Sequence, residues 1–250
     1  MKKLNGRIAL VTGAGRGIGR SIASALAAEG AHVIVNYVRN EEAARETVLH
    51  ITENGGSAGA FCADVTSEEQ VDRMFAYIQK QFGKLDILVN NAAVLSRYAF
   101  VDMPTSEWER IMGGNARGYF LCGQRAARMM ILNHYGRIIN VSSISQWRAA
   151  VGRSHYCAYK GSVGMLSKCM ALELAPHGIT VNVLAPGSIH TDFNDDVLSD
   201  SVYYEKARES IPAGRLGRPD DMDAAVVMLA SEEAGYINGA VLTVDGAMTV

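Results

Sequence analysis

Short, β-branched apolar runs alternate with longer amphipathic stretches along the whole 250-residue chain, and no other feature restricts its folding as much. The runs are Arg7–Thr12, His32–Tyr37, Gly59–Ala63, Leu85–Asn90, Arg137–Ser142, Thr180–Ala185 and Ala240–Val244. Ile8-Ala9-Leu10-Val11 and Ile87-Leu88-Val89 carry no polar face, as expected of strands in a parallel sheet covered on both sides. Between them lie helical patterns at Gly17–Ala28, Glu41–Glu53, Ser67–Gln81, Ser106–Leu132, Ser154–Leu174 and Pro219–Ala230. Start signals fall where helices should begin. Thr66-Ser67 precede Glu68 and Glu69, and Pro219-Asp220-Asp221 opens the last helix. Parallel neighbours need right-handed helical crossovers, so the pattern predicts an α/β fold with a doubly wound sheet and helices on both faces.

The chain shows no internal repeat, low-complexity segment or Pro/Gly-rich linker, so residues 1–250 are expected to form a single domain. Gly187–Asp220 is the one long stretch without a strand, and it predicts a substrate loop or lid at about residues 187–219. Hydrophobic residues at 48% and charged residues at 20% suit a globular chain with a sizeable core. A net charge of -2 leaves no footprint for nucleic acid or an anionic membrane surface. No apolar run is long enough to span a bilayer, and Ile8–Val11 is too short for the core of a signal peptide. The four cysteines form no CxxC pair, and the six histidines form no HExxH. No metal site is expected, and reduced thiols in a cytoplasmic protein are.

The first strand runs into Thr12-Gly13-Ala14-Gly15-Arg16-Gly17-Ile18-Gly19 and then a helix. Glycines here let backbone approach a pyrophosphate whose charge sits at a helix N-terminus. Gly13, Gly15, Arg16, Gly17, Ile18 and Gly19 are therefore candidate cofactor contacts. At the end of the second strand, a carboxylate would bind an adenosine ribose diol and repel a 2'-phosphate. Tyr37 stands there instead, with Asn36 before it and Arg39 after. Arg39 and Arg16 favour NADP(H), because guanidinium pairs well with phosphate; Glu41 and Glu42 nearby keep NAD(H) open.

Tyr156 and Lys160 lie four apart on a helix, about 5–6 Å apart at Cβ. A free tyrosine titrates near ~10, too high for a base at neutral pH, and a neighbouring ammonium favours the phenolate. Ser143, just past the Arg137–Ser142 strand, can present its hydroxyl to a reacting oxygen. Cys157 adjoins Tyr156 but should face elsewhere, since adjacent helical residues do not share a face.

With these pieces in order, the chain resembles the short-chain dehydrogenase/reductase family over essentially its whole length. The matching motifs are Thr12-Gly13-xxx-Gly17-Ile18-Gly19, Asp64-Val65, Asn90-Asn91-Ala92, Asn115, Ser143, Tyr156-xxx-Lys160 and Pro186-Gly187-xx-His190-Thr191. The resemblance implies a Rossmann-type sheet of seven parallel strands and an oxidoreductase moving hydride between nicotinamide and an alcohol or carbonyl. It implies that Tyr156 exchanges a proton with the substrate oxygen and that Lys160 lowers the tyrosine pKa and holds the nicotinamide ribose. Ser143 would polarise the carbonyl, and Asn115 would position a water relaying protons to Lys160. Asp64 and Val65 would flank the adenine, with Asn91 and Ala92 beside the cofactor ribose. Pro186, Gly187, Ile189 and Thr191 would meet the carboxamide or pyrophosphate. The family motif usually ends Asn-Asn-Ala-Gly; Ala93 stands in the last place here, where a methyl group would crowd backbone and require adjustment. The resemblance also implies a homotetramer, with Ser106–Leu132 and Ser154–Leu174 in its interfaces.

The substrate side is polar: Ser145, Gln146, Arg148, His155, Asp192, Asn194 and Asp195. Such groups favour a substrate bearing several hydroxyls. His155-Tyr156 and Thr191-Asp192-Phe193-Asn194 look similar to the sugar 1-dehydrogenase branch, which would make Ser145, Gln146, His155 and Asn194 substrate contacts. The rival is the 3-oxoacyl-carrier-protein reductase branch, which grips an acidic carrier with basic residues. His134 and His177 occupy those positions here, with Arg128 and Arg137 nearby, and neutral histidines bind acid weakly. A retired Rossmann redox sensor is the non-enzyme alternative; such proteins usually lose the tyrosine or lysine, and this chain keeps both.

Overall fold

A computed structural model describes residues 2–191 and 200–250. Among them, seven strands form one parallel sheet: β1 (Ile8–Val11), β2 (His32–Tyr37), β3 (Ser57–Cys62), β4 (Ile87–Asn90), β5 (Gly136–Val141), β6 (Ile179–Pro186) and β7 (Val241–Val244). Their order is β3-β2-β1-β4-β5-β6-β7, as the doubly wound reading requires. The helices are α1 (Gly17–Ala28), α2 (Glu41–Glu53), α3 (Glu68–Phe82), α4 (Thr105–Ile111), α5 (Arg117–Leu132), α6 (Ser154–Leu174), α7 (Ser201–Glu209) and α8 (Asp223–Ala230). None of these is long and apolar enough to cross a membrane.

The continuous apolar strands are explained by layers on both faces. Ala9, Val11, Val33 and Val89 pack with Ile22 and Leu26 of α1 and Val226 and Leu229 of α8. Leu10, Ile34, Leu88 and Ile138 pack with Met74 and Ile78 of α3 and Leu121 and Met130 of α5 on the other side. Successive residues of a strand face opposite layers, so both must be apolar. Each large side chain so buried contributes about 1.5–3 kcal/mol relative to exposure.

Two buried asparagines of the sheet are joined in a hydrogen-bonded chain. Asn90 Nδ2 donates to Asn140 Oδ1 at 2.9 Å, and Asn140 Nδ2 donates to Ser167 Oγ at 2.8 Å, joining β4, β5 and α6. Strand order reverses between β1 and β4, so the loops after these two strands diverge and open a crevice. The Ser106–Leu132 pattern is broken into α4 and α5 by a π-helical turn, Met112–Ala116, which faces that crevice through Gly114 and Asn115.

Candidate active site

The crevice is a cavity of ≈ 430 Å³ at the carboxyl ends of the strands, a size usual for small-molecule sites. Gly13, Arg16, Gly17, Ile18 and Gly19 line one end of it, where β1 turns into α1. Gly13 adopts φ +62°, and a Cβ there would come within 2.9 Å of Ala92 Cα. A Cβ on Gly19 would lie 2.4 Å from the Gly13 carbonyl oxygen and 2.5 Å from Asn91 Nδ2. The loop is thus a close backbone cradle at a helix N-terminus, which fits the pyrophosphate of a dinucleotide.

Two side chains hold this cradle. Asn36 is fully buried; its Nδ2 donates to the Ala63 carbonyl at 2.9 Å while its Oδ1 accepts from Gly13 N at 3.3 Å. Asn91 Nδ2 donates to the carbonyls of Thr12 and Gly13 at 3.0 and 3.1 Å. The hydroxyl of Thr12 returns the favour, accepting from Asn91 N and Ala92 N. Asp64 and Val65 line the cavity after β3, and the Asp64 carboxylate accepts from Thr66 N and Oγ1.

The loop after β4 is clamped along its length. Asn115 Oδ1 accepts from Val94 N at 2.8 Å, and its Nδ2 donates to Val94 O at 2.9 Å. Both ends of its carboxamide are therefore spent on shaping the loop. Further on, Ser96 Oγ meets His155 Nε2 at 2.9 Å, and Tyr98 N donates to Gly152 O at 3.0 Å. The methyl of Ala93 packs on a cluster of Tyr119, Tyr159 and Val163.

Ser143, Tyr156 and Lys160 line the same cavity. Ser143 extends β5, accepts from Ser145 N at 3.1 Å, and lines the cavity with the Tyr156 phenol. Lys160 is buried and donates to the Val141 carbonyl at 2.7 Å, with Nζ 5.6 Å from the Tyr156 ring and 4.7 Å from the Tyr159 ring. Burial pushes Tyr156 up to about 12, opposed first by the Arg153 guanidinium and then by Ser143. Burial also pushes Lys160 down to about 7. Arg153 thus opposes the rise at Tyr156, while burial weakens the Lys160 charge. Sequence reasoning missed Arg153, Tyr119 and Tyr159; only the short spacing of Arg153 and Tyr159 from Tyr156 hinted at them.

Pro186, Gly187, Ile189 and Thr191 complete the cavity wall, and Ala207 of α7 faces it from the 187–219 segment. Ile189 pairs with Gly217, tying the two ends of that segment together.

Six expected contacts fall elsewhere. Gly15 packs against Ala43 and Ala44 at the start of α2. Tyr37 packs into the core beside Cys62 and Glu41, and Arg39 stands exposed outside the cavity lining; Val38 lines the cavity instead, because alternation along the strand turns its neighbours away. Ser145 is buried below Ser143. Gln146 lies on α6 at Gly164 and accepts from Ser142 Oγ at 3.2 Å. His155 is fully buried and turned toward Ser96, away from the cavity. Asn194 lies outside the described residues. Cys157 does not line the cavity, as helix geometry predicts.

Comparison with known proteins agrees with this geometry. The family model described as enoyl-(acyl carrier protein) reductase matches residues 13–249. The chain is 36% identical over 251 residues to a 3-oxoacyl-[acyl-carrier-protein] reductase of Synechocystis sp., covering 100% of both chains. It is 39% identical to an L-rhamnose 1-dehydrogenase (NAD(P)(+)) of Sphingomonas sp., covering 100% of this chain and 99% of that one. The structure of a gluconate 5-dehydrogenase from Burkholderia cenocepacia, in complex with NADP and tartrate, superposes with a TM-score of 0.94 at 37% identity, covering 99% and 96% of the two chains.

Proposed function

Because the chain belongs to the short-chain dehydrogenase/reductase family, an oxidoreductase family acting on CH–OH groups, we propose that it oxidises a hydroxyl of a sugar or polyol with Tyr156 as the acid/base. The observation that carries this reading is the grouping of Ser143, Tyr156 and Lys160 in the wall of a cavity whose other end is the Gly13–Gly19 cradle. A bound nicotinamide supplies the hydride acceptor. Tyr156 takes the hydroxyl proton, and Ser143 donates to the same oxygen. Lys160, held by the Val141 carbonyl, would hold a cofactor ribose hydroxyl and favour the Tyr156 phenolate. Asn115 serves by fixing Val94 and the loop around it, and a water beside it would relay protons to Lys160.

NADP(H) is the preferred cofactor in this reading and NAD(H) an accepted one. Arg16, which lines the cavity, and Arg39, exposed beside the cavity-lining Val38, are the cations for a 2'-phosphate. Residues 1–250 act as one catalytic domain with 187–219 as its substrate lid, in a cytoplasmic homotetramer. Two relatives are named for the polyhydroxylated compounds L-rhamnose and gluconate, which supports the substrate class.

A 3-oxoacyl-carrier-protein reductase is the rival, favoured by the Synechocystis relative. Against it, Arg137 is buried, donating to the carbonyls of Ser231 and Gly136, and is not offered to an acidic carrier. A panel of aldoses, sugar acids, polyols and acetoacetyl thioesters with each cofactor separates the readings. Oxidation of hydroxylated substrates with a lower KM for NADP than for NAD is expected. Thioester reduction alone would favour the rival, and NADPH binding without turnover a redox sensor. Tyr156→Phe should lower kcat by about 10²–10⁴-fold while NADPH fluorescence titration stays nearly unchanged; substantial residual activity would refute the tyrosine's role.

A further inference from the structure

The substrate end of the cavity carries positive charge whose part in the chemistry so far is confined to the field of Arg153 at Tyr156. Among the described residues, four cationic side chains line the cavity, Arg16, Lys160, Arg97 and Arg153, and one carboxylate, Asp64. Arg16 and Asp64 belong to the cofactor end. Arg97 and Arg153 come from separate segments, the loop after β4 and the start of α6. The hydrogen bond from Tyr98 N to Gly152 O, 3.0 Å long, brings these segments together one residue from each arginine. Arg153 precedes Tyr156 by one helical turn and acts on its phenol. Arg97 follows Ser96, which is bonded to His155 beside Tyr156.

Both guanidiniums are half-buried, and neither forms an ion pair among the described residues. Arg7, Arg45, Arg110, Arg125 and Arg215, by contrast, are paired with carboxylates. The acid nearest this loop, Glu107, is held by Arg110 at 2.6 and 2.9 Å. Partly desolvated arginines on a cavity wall select an anion, and a guanidinium matches a carboxylate through two parallel hydrogen bonds.

We propose that Arg97 and Arg153 form an anion clamp beside Tyr156, and that the substrate is a hydroxy acid whose carboxylate the clamp holds. This inference rests on reading the cavity as an alcohol-oxidising site, and it narrows sugar or polyol to sugar acid. An open-chain sugar acid has no anomeric hydroxyl, so an internal secondary alcohol reacts. That alcohol loses hydride from carbon to the oxidised nicotinamide dinucleotide and its hydroxyl proton to the Tyr156 oxygen, leaving a ketone. The carboxylate is unchanged and serves to fix which carbon faces the cofactor.

The test compares kcat/KM for a panel of hexonates and pentonates, D-gluconate included, with the neutral polyols of equal length and with D-glucitol 6-phosphate. The best sugar acid should exceed its neutral polyol at least tenfold. Arg97→Gln and Arg153→Gln should each cut that ratio at least tenfold, and Arg153→Lys should restore part of it. The ratio cancels any effect of Arg153 on Tyr156 that all substrates share. Independently of turnover, tartrate should raise the Tm of the NADP-loaded protein and lose that effect in Arg97→Gln. Equal or better turnover of neutral polyols, or ratios unmoved by both variants, would overturn the clamp while leaving polyol oxidation standing. Preference for the phosphate ester would overturn the carboxylate. Thioester reduction with no oxidation of any hydroxylated compound would remove the parent reading and the clamp together.

Discussion

The Val141 carbonyl accepts hydrogen bonds from two buried side chains, Lys160 Nζ and the Tyr119 hydroxyl, each at 2.7 Å. One acceptor and three tyrosine rings surround the lysine, and among the described residues no carboxylate pairs with it. Its folded pKa, about 7 against an ordinary 10.5, sets a sign. The unfolded chain binds the proton more tightly, so the buried charge costs stability fully below pH 7, and that cost fades as pH rises toward 10.5. Lys160→Met should therefore raise Tm at pH 6–7 while abolishing turnover, and the gain over the parent should shrink by pH 10. Thermal melts across that range check it; a gain independent of pH would show that packing, not charge, was relieved. The lysine's presence was legible from its spacing to Tyr156. Its weakened charge was not, because desolvation comes from Tyr119 and Val141, remote in sequence.

Among the elements, the strands were the easiest to read. Burial on both faces leaves β1, β4 and β5 no polar alternation, and each differs from its expected limits by at most two residues. The turn at Met112–Ala116 was not legible, since an unbroken helical period runs through it and its opening depends on Asn115 bonding Val94. Side-chain direction was hidden in the same way. His155, Gln146, Tyr37 and Gly15 occupy promising places in the sequence, yet each is turned toward a neighbouring element that only the assembled sheet supplies. The glycine loop was legible because backbone contact leaves a mark in residue type. Gly19→Ala puts a methyl against the Gly13 carbonyl and the Asn91 amide, neither of which is a flexible chain end. It should weaken NADPH binding at least tenfold by fluorescence titration; unchanged affinity would mean that the cradle can open without loss.

At the scale of the molecule, α5 and α6 leave large apolar side chains in water: Leu132 is 78% exposed, Leu172 80% and Met165 61%. Exposed apolar side chains on two long helices give a second copy of the chain apolar surface to cover. The proposed homotetramer would cover it, so light scattering should give four times 26.9 kDa, and a monomeric mass would exclude the assembly.

The loop after β4 has a practical meaning for anyone redesigning this enzyme. From Asn91 to Tyr98 it is fastened in turn to the glycine cradle, to Asn115, to His155 and to Gly152. Its eight residues behave as a cartridge with four latches, two of them seated in the segment just ahead of Tyr156. A graft that carries a donor's loop without residues 152–155 would import new side chains into a frame cut for the old ones. Exchanged together, the two segments form the smallest interchangeable part of this active site.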